Sequence, residues 1–138
     1  MPPSFTIAMP GLPDPRLAVN QLRNLYYMDH AHLVAEEAER WGWLLKEAGI
    51  DRHPQYTAPV RIHIRLHGTG RRGDVPNWLA HGSLKVLVDC LCEPKGNRQY
   101  GFGLLKDDSA RWVRGMSVEV EPEGEPRTEI TIESAGTI

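Results

Sequence analysis

The sequence predicts an α+β domain: a mixed β-sheet and two helices as a single layer pair, in the order β-α-β-α-β-β. Three observations predict it. The stretch Arg61-Ile62-His63-Ile64-Arg65-Leu66-His67 alternates without a fault, the period-two mark of a strand with one buried face. Val34, Ala38, Trp41, Leu45 and Ala48 recur at steps of four and three, which makes one helical apolar stripe. Two strand-like runs lie near the end of the chain, about a turn signal. A chain of 138 residues can bury a core without staples, so residues 1–138 read as one domain.

Phe5 to Met9 forms the first expected strand, stopped by Pro10-Gly11-Leu12-Pro13-Asp14-Pro15. The proline-rich link runs on through Asn20 to Arg23, Tyr26 and Tyr27. A helix is expected from about Asp29, whose carboxylate can cap the first turn. Glu36, Glu37, Glu39 and Lys46 fill its outer surface, and Gly49 is a natural stop. The second strand spans about Val60 to His67. After a glycine-rich turn comes a helix from about Ser83, its expected cap, to Leu91. Leu84, Leu87, Val88 and Leu91 form its apolar face, with Lys85, Asp89 and Cys92 opposite. A polar loop, Glu93 to Gly103, leads to Leu104-Leu105-Lys106-Asp107-Asp108-Ser109. Strands near Trp112–Glu121 and Arg127–Glu133 follow, joined by a turn at Gly124-Glu125-Pro126.

The formal net charge of -2 excludes a chain devoted to coating nucleic acid, so any attraction to phosphate needs a local patch. Cys90 and Cys92 are poorly spaced for a bridge, and the start lacks the basic and apolar regions of a signal peptide. With no apolar run of membrane-spanning length, the expectation is a cytoplasmic protein with reduced thiols.

Several chemistries fall away. His63 and His67 lie about 13 Å apart along a strand, at roughly 3.3 Å per residue, too far for one zinc. Gly68-x-Gly70 precedes Arg71 and Arg72 rather than a P-loop lysine, and there is no Gly-x-Ser-x-Gly elbow. No nucleotide cofactor is expected. What remains is charge. Arg61, His63, Arg65 and His67 share one strand face, extended by Arg71 and Arg72. That face reads either as a solvated side of a sheet or as a track for phosphates. Asp74, Lys85, Asp89, Asp107 and Asp108 have dull readings singly: a turn residue, a surface i, i+4 pair and a solvated turn.

Taken in order, these residues resemble the RusA-type Holliday-junction resolvases of bacteria and phages. That family carries a basic run, Asp-x-Asp-Asn, a helix with a lysine and an aspartate, then a loop and an Asp-Asp pair. Here stand Arg71-Arg72-Gly73-Asp74-Val75-Pro76-Asn77, then Lys85-Val86-Leu87-Val88-Asp89, then Asp107-Asp108-Ser109. Phe5–Pro10 and Glu129–Ile132 are similar to the family's opening and closing strands. The resemblance implies a RusA-like fold and a metal-dependent crossover junction endodeoxyribonuclease. Such an enzyme resolves four-way DNA junctions by phosphodiester hydrolysis, in recombination or repair.

It further implies Mg²⁺ or Mn²⁺ held by Asp74 with Asp108, or with its close rival Asp107. Lys85 would face the scissile phosphate, and Asp89 would orient Lys85 or act through a metal-bound water. DNA would lie along Arg61, His63, Arg65, His67, Arg71 and Arg72, and the protein would be a homodimer. Two departures stand out. Pro76 takes the place of the second motif aspartate, and the stretches before Lys85 and before Asp107 are lengthened. A protein of this fold that binds junctions without cutting them is therefore the alternative expectation. An interaction module with no nucleic-acid partner is a third.

Overall fold

The computed structural model describes residues 4–18, 27–71 and 73–136; most of the proline-rich link beyond Ala18, up to Tyr26, and Arg72 lie outside the described residues. Its architecture is α+β, with a four-stranded mixed sheet. The elements run β1 (Phe5–Pro10), α1 (Tyr27–Glu47), β2 (Val60–His67), α2 (Val75–Leu79), α3 (Gly82–Leu91), β3 (Val113–Glu121) and β4 (Arg127–Ser134). Among the described residues there are thus three helices where two were expected. The addition, α2, grows from the segment read as a turn. Asp74 caps it, its Oδ1 accepting from the Asn77 N–H at 3.1 Å. Pro76 falls in the first turn, where a missing N–H leaves no helical bond unmade.

The strand order is β1-β4-β2-β3, with β4 antiparallel to β1 and β2 and β3 parallel to β2. β3 and β4 are therefore not a hairpin. Their connection, Gly124-Glu125-Pro126 included, passes over the end of β2, and the Gly68 N–H donates to Glu121 and Glu123 carbonyls. Gly68 has φ +74°, and a Cβ there would stand 2.6 Å from the Pro126 nitrogen. Only glycine fits beneath that crossing.

One sheet face is dry. Ile7 and Met9 of β1, Ile62, Ile64 and Leu66 of β2, and Ile130 and Ile132 of β4 pack with Trp41 and Leu45 of α1 and Leu84, Leu87 and Leu91 of α3. Each buried side chain of this size contributes about 1.5–3 kcal/mol. On α1 the buried ridge is Leu33, Glu37, Trp41 and Leu45, at steps of four, and Ala48 is exposed. Glu37 was expected on the outer surface. It is buried because it sits one turn before Trp41, and it is fully engaged there. Arg40 bonds its carboxylate, the Asp14 N–H donates to Oε2 at 2.9 Å, and the Ser83 hydroxyl donates to the same oxygen.

The Trp41 indole N–H reaches the Ser83 carbonyl and hydroxyl, which ties α1 to the start of α3. Ser83, so occupied, does not cap α3. His81 does, its Nδ1 accepting from the Ser83 N–H at 3.1 Å while its ring stacks on Trp78. Asp29, the expected cap of α1, lies within the helix, whose described residues begin at Tyr27. No helix among the described residues is long and apolar enough to cross a membrane.

Candidate active site

Lys85 and Asp89 lie one turn apart on the solvent side of α3, and the Lys85 Nζ donates to Asp89 Oδ1 at 3.1 Å. A second carboxylate arrives from far along the chain: the same ammonium donates to Asp108 Oδ2 at 2.6 Å. The delivery of Asp108 has a packing cause. Leu104 and Leu105 are buried, and their backbone is pinned to the end of α3. The Leu105 N–H donates to the Leu91 carbonyl at 3.0 Å, and the Glu93 N–H to the Leu105 carbonyl at 3.0 Å. Burying that leucine pair leaves the next residues, Lys106 to Ser109, at the mouth of the helix end.

The neighbouring acid, Asp107, turns elsewhere. Its Oδ1 accepts from the Ser109 N–H at 2.8 Å and so shapes the turn that presents Asp108. Of these two rivals, Asp108 meets the lysine. Cys92, expected beside Lys85 and Asp89, is past the helix end and buried. Burial pushes both its thiol and that of Cys90 up to about 12. These thiols are packing groups, not nucleophiles.

One residue missed in the sequence holds this corner together. The Arg98 guanidinium donates to the carbonyls of Asp89 (2.8 Å), Tyr100 (2.7 Å) and Glu93 (2.9 Å). It folds the long polar loop against the end of α3, where carbonyls lack helical partners and a cation is favoured. The signal available was a lone arginine in a loop following a helix, too common to single out.

The electrostatics follow from these contacts. The Lys85 hydrogen bond is the chief cause that holds the Asp108 carboxyl below its ordinary range. Burial works against the Lys85 charge, but the bonds to Asp108 and Asp89 outweigh it and hold the ammonium above its ordinary value. Asp107 is likewise lowered, first by the Ser109 hydroxyl and then by the Ser109 N–H. The Lys85 ammonium and the Asp108 carboxylate both face solvent: Lys85 is 62% exposed and Asp108 44%.

Asp74 caps α2, its Oδ1 accepting from the Asn77 N–H. Among the described residues, no three His, Cys, Asp or Glu side chains stand close enough together to hold a metal ion. Asp89 and Asp108 nevertheless converge on one cation, the Lys85 ammonium. A hydrated Mg²⁺ is usually held by only one or two carboxylates plus waters and substrate phosphate. The donor pair fits such an ion and does not fit a closed metal site.

The basic strand face is present but matched. Arg61, His63, Arg65 and His67 all point away from the core. β4 and β3 flank β2, and cross-strand register sets Glu133 beside Arg61, Glu119 and Glu129 on either side of Arg65, and Glu121 beside His67. Arg65 is ion-paired to Glu119, and His63 Nδ1 lies 2.6 Å from the Ser117 hydroxyl. His67 Nε2 is 3.1 Å from Glu129, which also pairs with Arg127 at 2.7 Å. Arg61, Arg65 and Arg127 thus meet Glu119, Glu121, Glu129 and Glu133 on one face. The outer face of β2 is basic, and the strands that flank it place carboxylates beside Arg61, Arg65 and His67. Arg71 stands exposed in the turn that follows β2.

The chain matches no protein-family model, and no curated protein is significantly similar to it.

Proposed function

We propose that this chain is a metal-dependent endonuclease of the RusA type, acting on four-way DNA junctions as a homodimer. The observation that carries the reading is the Lys85 ammonium held between Asp89 of its own helix and Asp108 from the returning loop. Phosphodiester hydrolysis needs positive charge where negative charge develops on phosphate, and an exposed, permanently charged lysine supplies it. Asp89 keeps that ammonium aimed, and the Lys85 hydrogen bond favours the ionised form of Asp108. Asp89 and Asp108 would hold the divalent ion, Mg²⁺ or Mn²⁺. When bound, such an ion polarises phosphoryl oxygens and lowers the pKa of a coordinated water.

Phosphate contacts then belong near Asp107–Asp108 rather than on the matched face of β2. Lys106 and Arg111 lie 5.2 and 5.9 Å from the Trp112 ring and flank the acid pair in sequence. The dimer supplies two equivalent sites for paired cuts, as closed two-fold symmetry provides.

The test is cleavage of a synthetic four-way junction with Mg²⁺ or Mn²⁺, beside Lys85→Ala and Asp108→Asn. Cutting by the wild type and its loss in both variants supports the assignment; cutting by folded Lys85→Ala at the wild-type rate removes it. Asp74 engaged as a helix cap, with Pro76 in that helix's first turn, favours a second reading. In it, the protein grips junctions without hydrolysing them. Tight junction binding with no cutting in either metal is its signature.

A further inference from the structure

Beside the candidate active site lies an open trough of about 380 Å³ between α1 and the loop 100–102. Ala38, Gly42 and Cys90 form its floor, and Trp43, Tyr100 and Phe102 its walls. Trp43 is 65% exposed and Phe102 37%, whereas Trp41, Trp78 and Trp112 are each 9% exposed or less. Glycine weakens a helix interior, yet a Cβ built on Gly42 meets nothing within 4 Å. Packing does not demand Gly42; its effect is to keep the trough open.

The facing wall is closely packed. At Gly101, φ +145°, a Cβ would fall 2.1 Å from the Cys92 carbonyl, so the loop is pressed against the end of α3. The Phe102 N–H donates to the Cys90 carbonyl at 2.9 Å, and the Arg98 guanidinium lies 5.4 Å from the Tyr100 ring. The trough and the charged cluster share the C-terminal half of α3. Asp89 and Cys90 are consecutive on α3, the first bonded to Lys85, the second under the trough. Arg98 links trough and cluster, donating to the carbonyls of both Asp89 and Tyr100.

We infer that this trough binds an unstacked nucleobase of a DNA strand whose backbone passes Lys85. The inference rests on the nucleic-acid reading above. Flat aromatic walls suit a base because every base presents a π-face. Glu39 and Lys46 also line the trough. The carboxylate can accept from an exocyclic amine, as acidic side chains do from cytosine, and the lysine can meet a phosphate. A base carrying an amino group is therefore preferred over thymine.

The experiment is quenching of tryptophan fluorescence by short single-stranded oligodeoxynucleotides, with cleavage of four-way junctions in Mg²⁺ assayed in parallel. Trp43 is the exposed indole and the reporter. Gly42→Leu fills the trough and favours the helix; Phe102→Ala removes a wall from outside α1 and serves if Gly42→Leu misfolds. The expected result is saturable quenching in the wild type, stronger for oligo(dC) or oligo(dA) than for oligo(dT). Affinity should fall roughly tenfold in either variant, the scale of losing one base–aromatic stack. Wild-type quenching that neither folded variant weakens overturns the inference, as does a wild type that cuts junctions without any quenching. Quenching lost in the variants while no junction is cut sustains the trough and sinks the nuclease reading instead.

Discussion

The outer face of the sheet and the Lys85 cluster both set cations beside carboxylates, but they do so differently. On the sheet, acids are spread along β3 and β4 so that Arg61, Arg65 and His67 of β2 each have a carboxylate across a strand, while His63 faces Ser117 and Thr131. Such matching is what a solvated sheet face does, here across a parallel pair on one side and an antiparallel pair on the other. At α3, two carboxylates from positions far apart in the chain converge on one nitrogen. The first arrangement disperses charge, and the second concentrates it. Concentrated charge at a solvent-open corner is the arrangement that can act on phosphate.

Activity separates the two regions most strongly. Lys85→Ala or Asp108→Asn should lower junction cleavage about a hundredfold or more, the usual scale for removing one transition-state partner. Arg65→Ala should leave the cleavage rate within about twofold, since Glu119 already holds its guanidinium. Single-turnover rates on one junction check both, and equal losses in the two regions would erase the distinction. Next in size comes Pro76→Asp. It keeps a residue suited to the first helical turn, where an acid is favoured. It should raise cutting above the wild type if a missing carboxylate is what limits the reaction. Unchanged cutting would show that Asp89 and Asp108 suffice.

The difference between the regions explains what was legible in the sequence. Alternation in β2, the ridge of α1 around Trp41, and Lys85–Asp89 at i, i+4 are local periodicities, and the sequence states them directly. Asp108 meeting Lys85 was approached only through ordered resemblance, because no periodicity links positions in different elements. The neutralising glutamates were hidden for a related reason. β4 inserts between β1 and β2, and that strand order decides which Glu faces which Arg. Three further misses share one cause, side chains recruited to satisfy backbone or buried groups. They are His81 capping α3, Arg98 gathering carbonyls, and Glu37 buried against Ser83.

A smaller effect sharpens the contrast on DNA affinity. Glu119→Gln frees the Arg65 guanidinium, so one more phosphate can be met and the slope of log K against log salt should steepen by about 0.9. Arg111→Ala, beside the acid pair, should flatten the slope by a similar amount. Filter binding of the junction across a salt series reads both. No change in either would place the phosphate contacts outside these two regions.

The smallest expected effect is on stability, and its pH dependence has a definite sign. The Asp108 carboxyl is lowered by Lys85, so its contribution is present above the ordinary carboxylate value and fades as pH falls through the lowered one. The Lys85 ammonium is raised. Its contribution is present below the ordinary lysine value and fades as pH rises through the raised one. Between those limits the pair contributes a plateau, and because both partners are exposed that plateau is under about 1 kcal/mol. Lys85→Met keeps the aliphatic stem and removes the charge. The difference between wild-type and Lys85→Met urea midpoints should therefore be small and constant near neutrality, and vanish in acid as Asp108 protonates. A difference that persists unaltered into acid would mean that Lys85 stabilises α3 by packing alone, leaving its ammonium unengaged by Asp108.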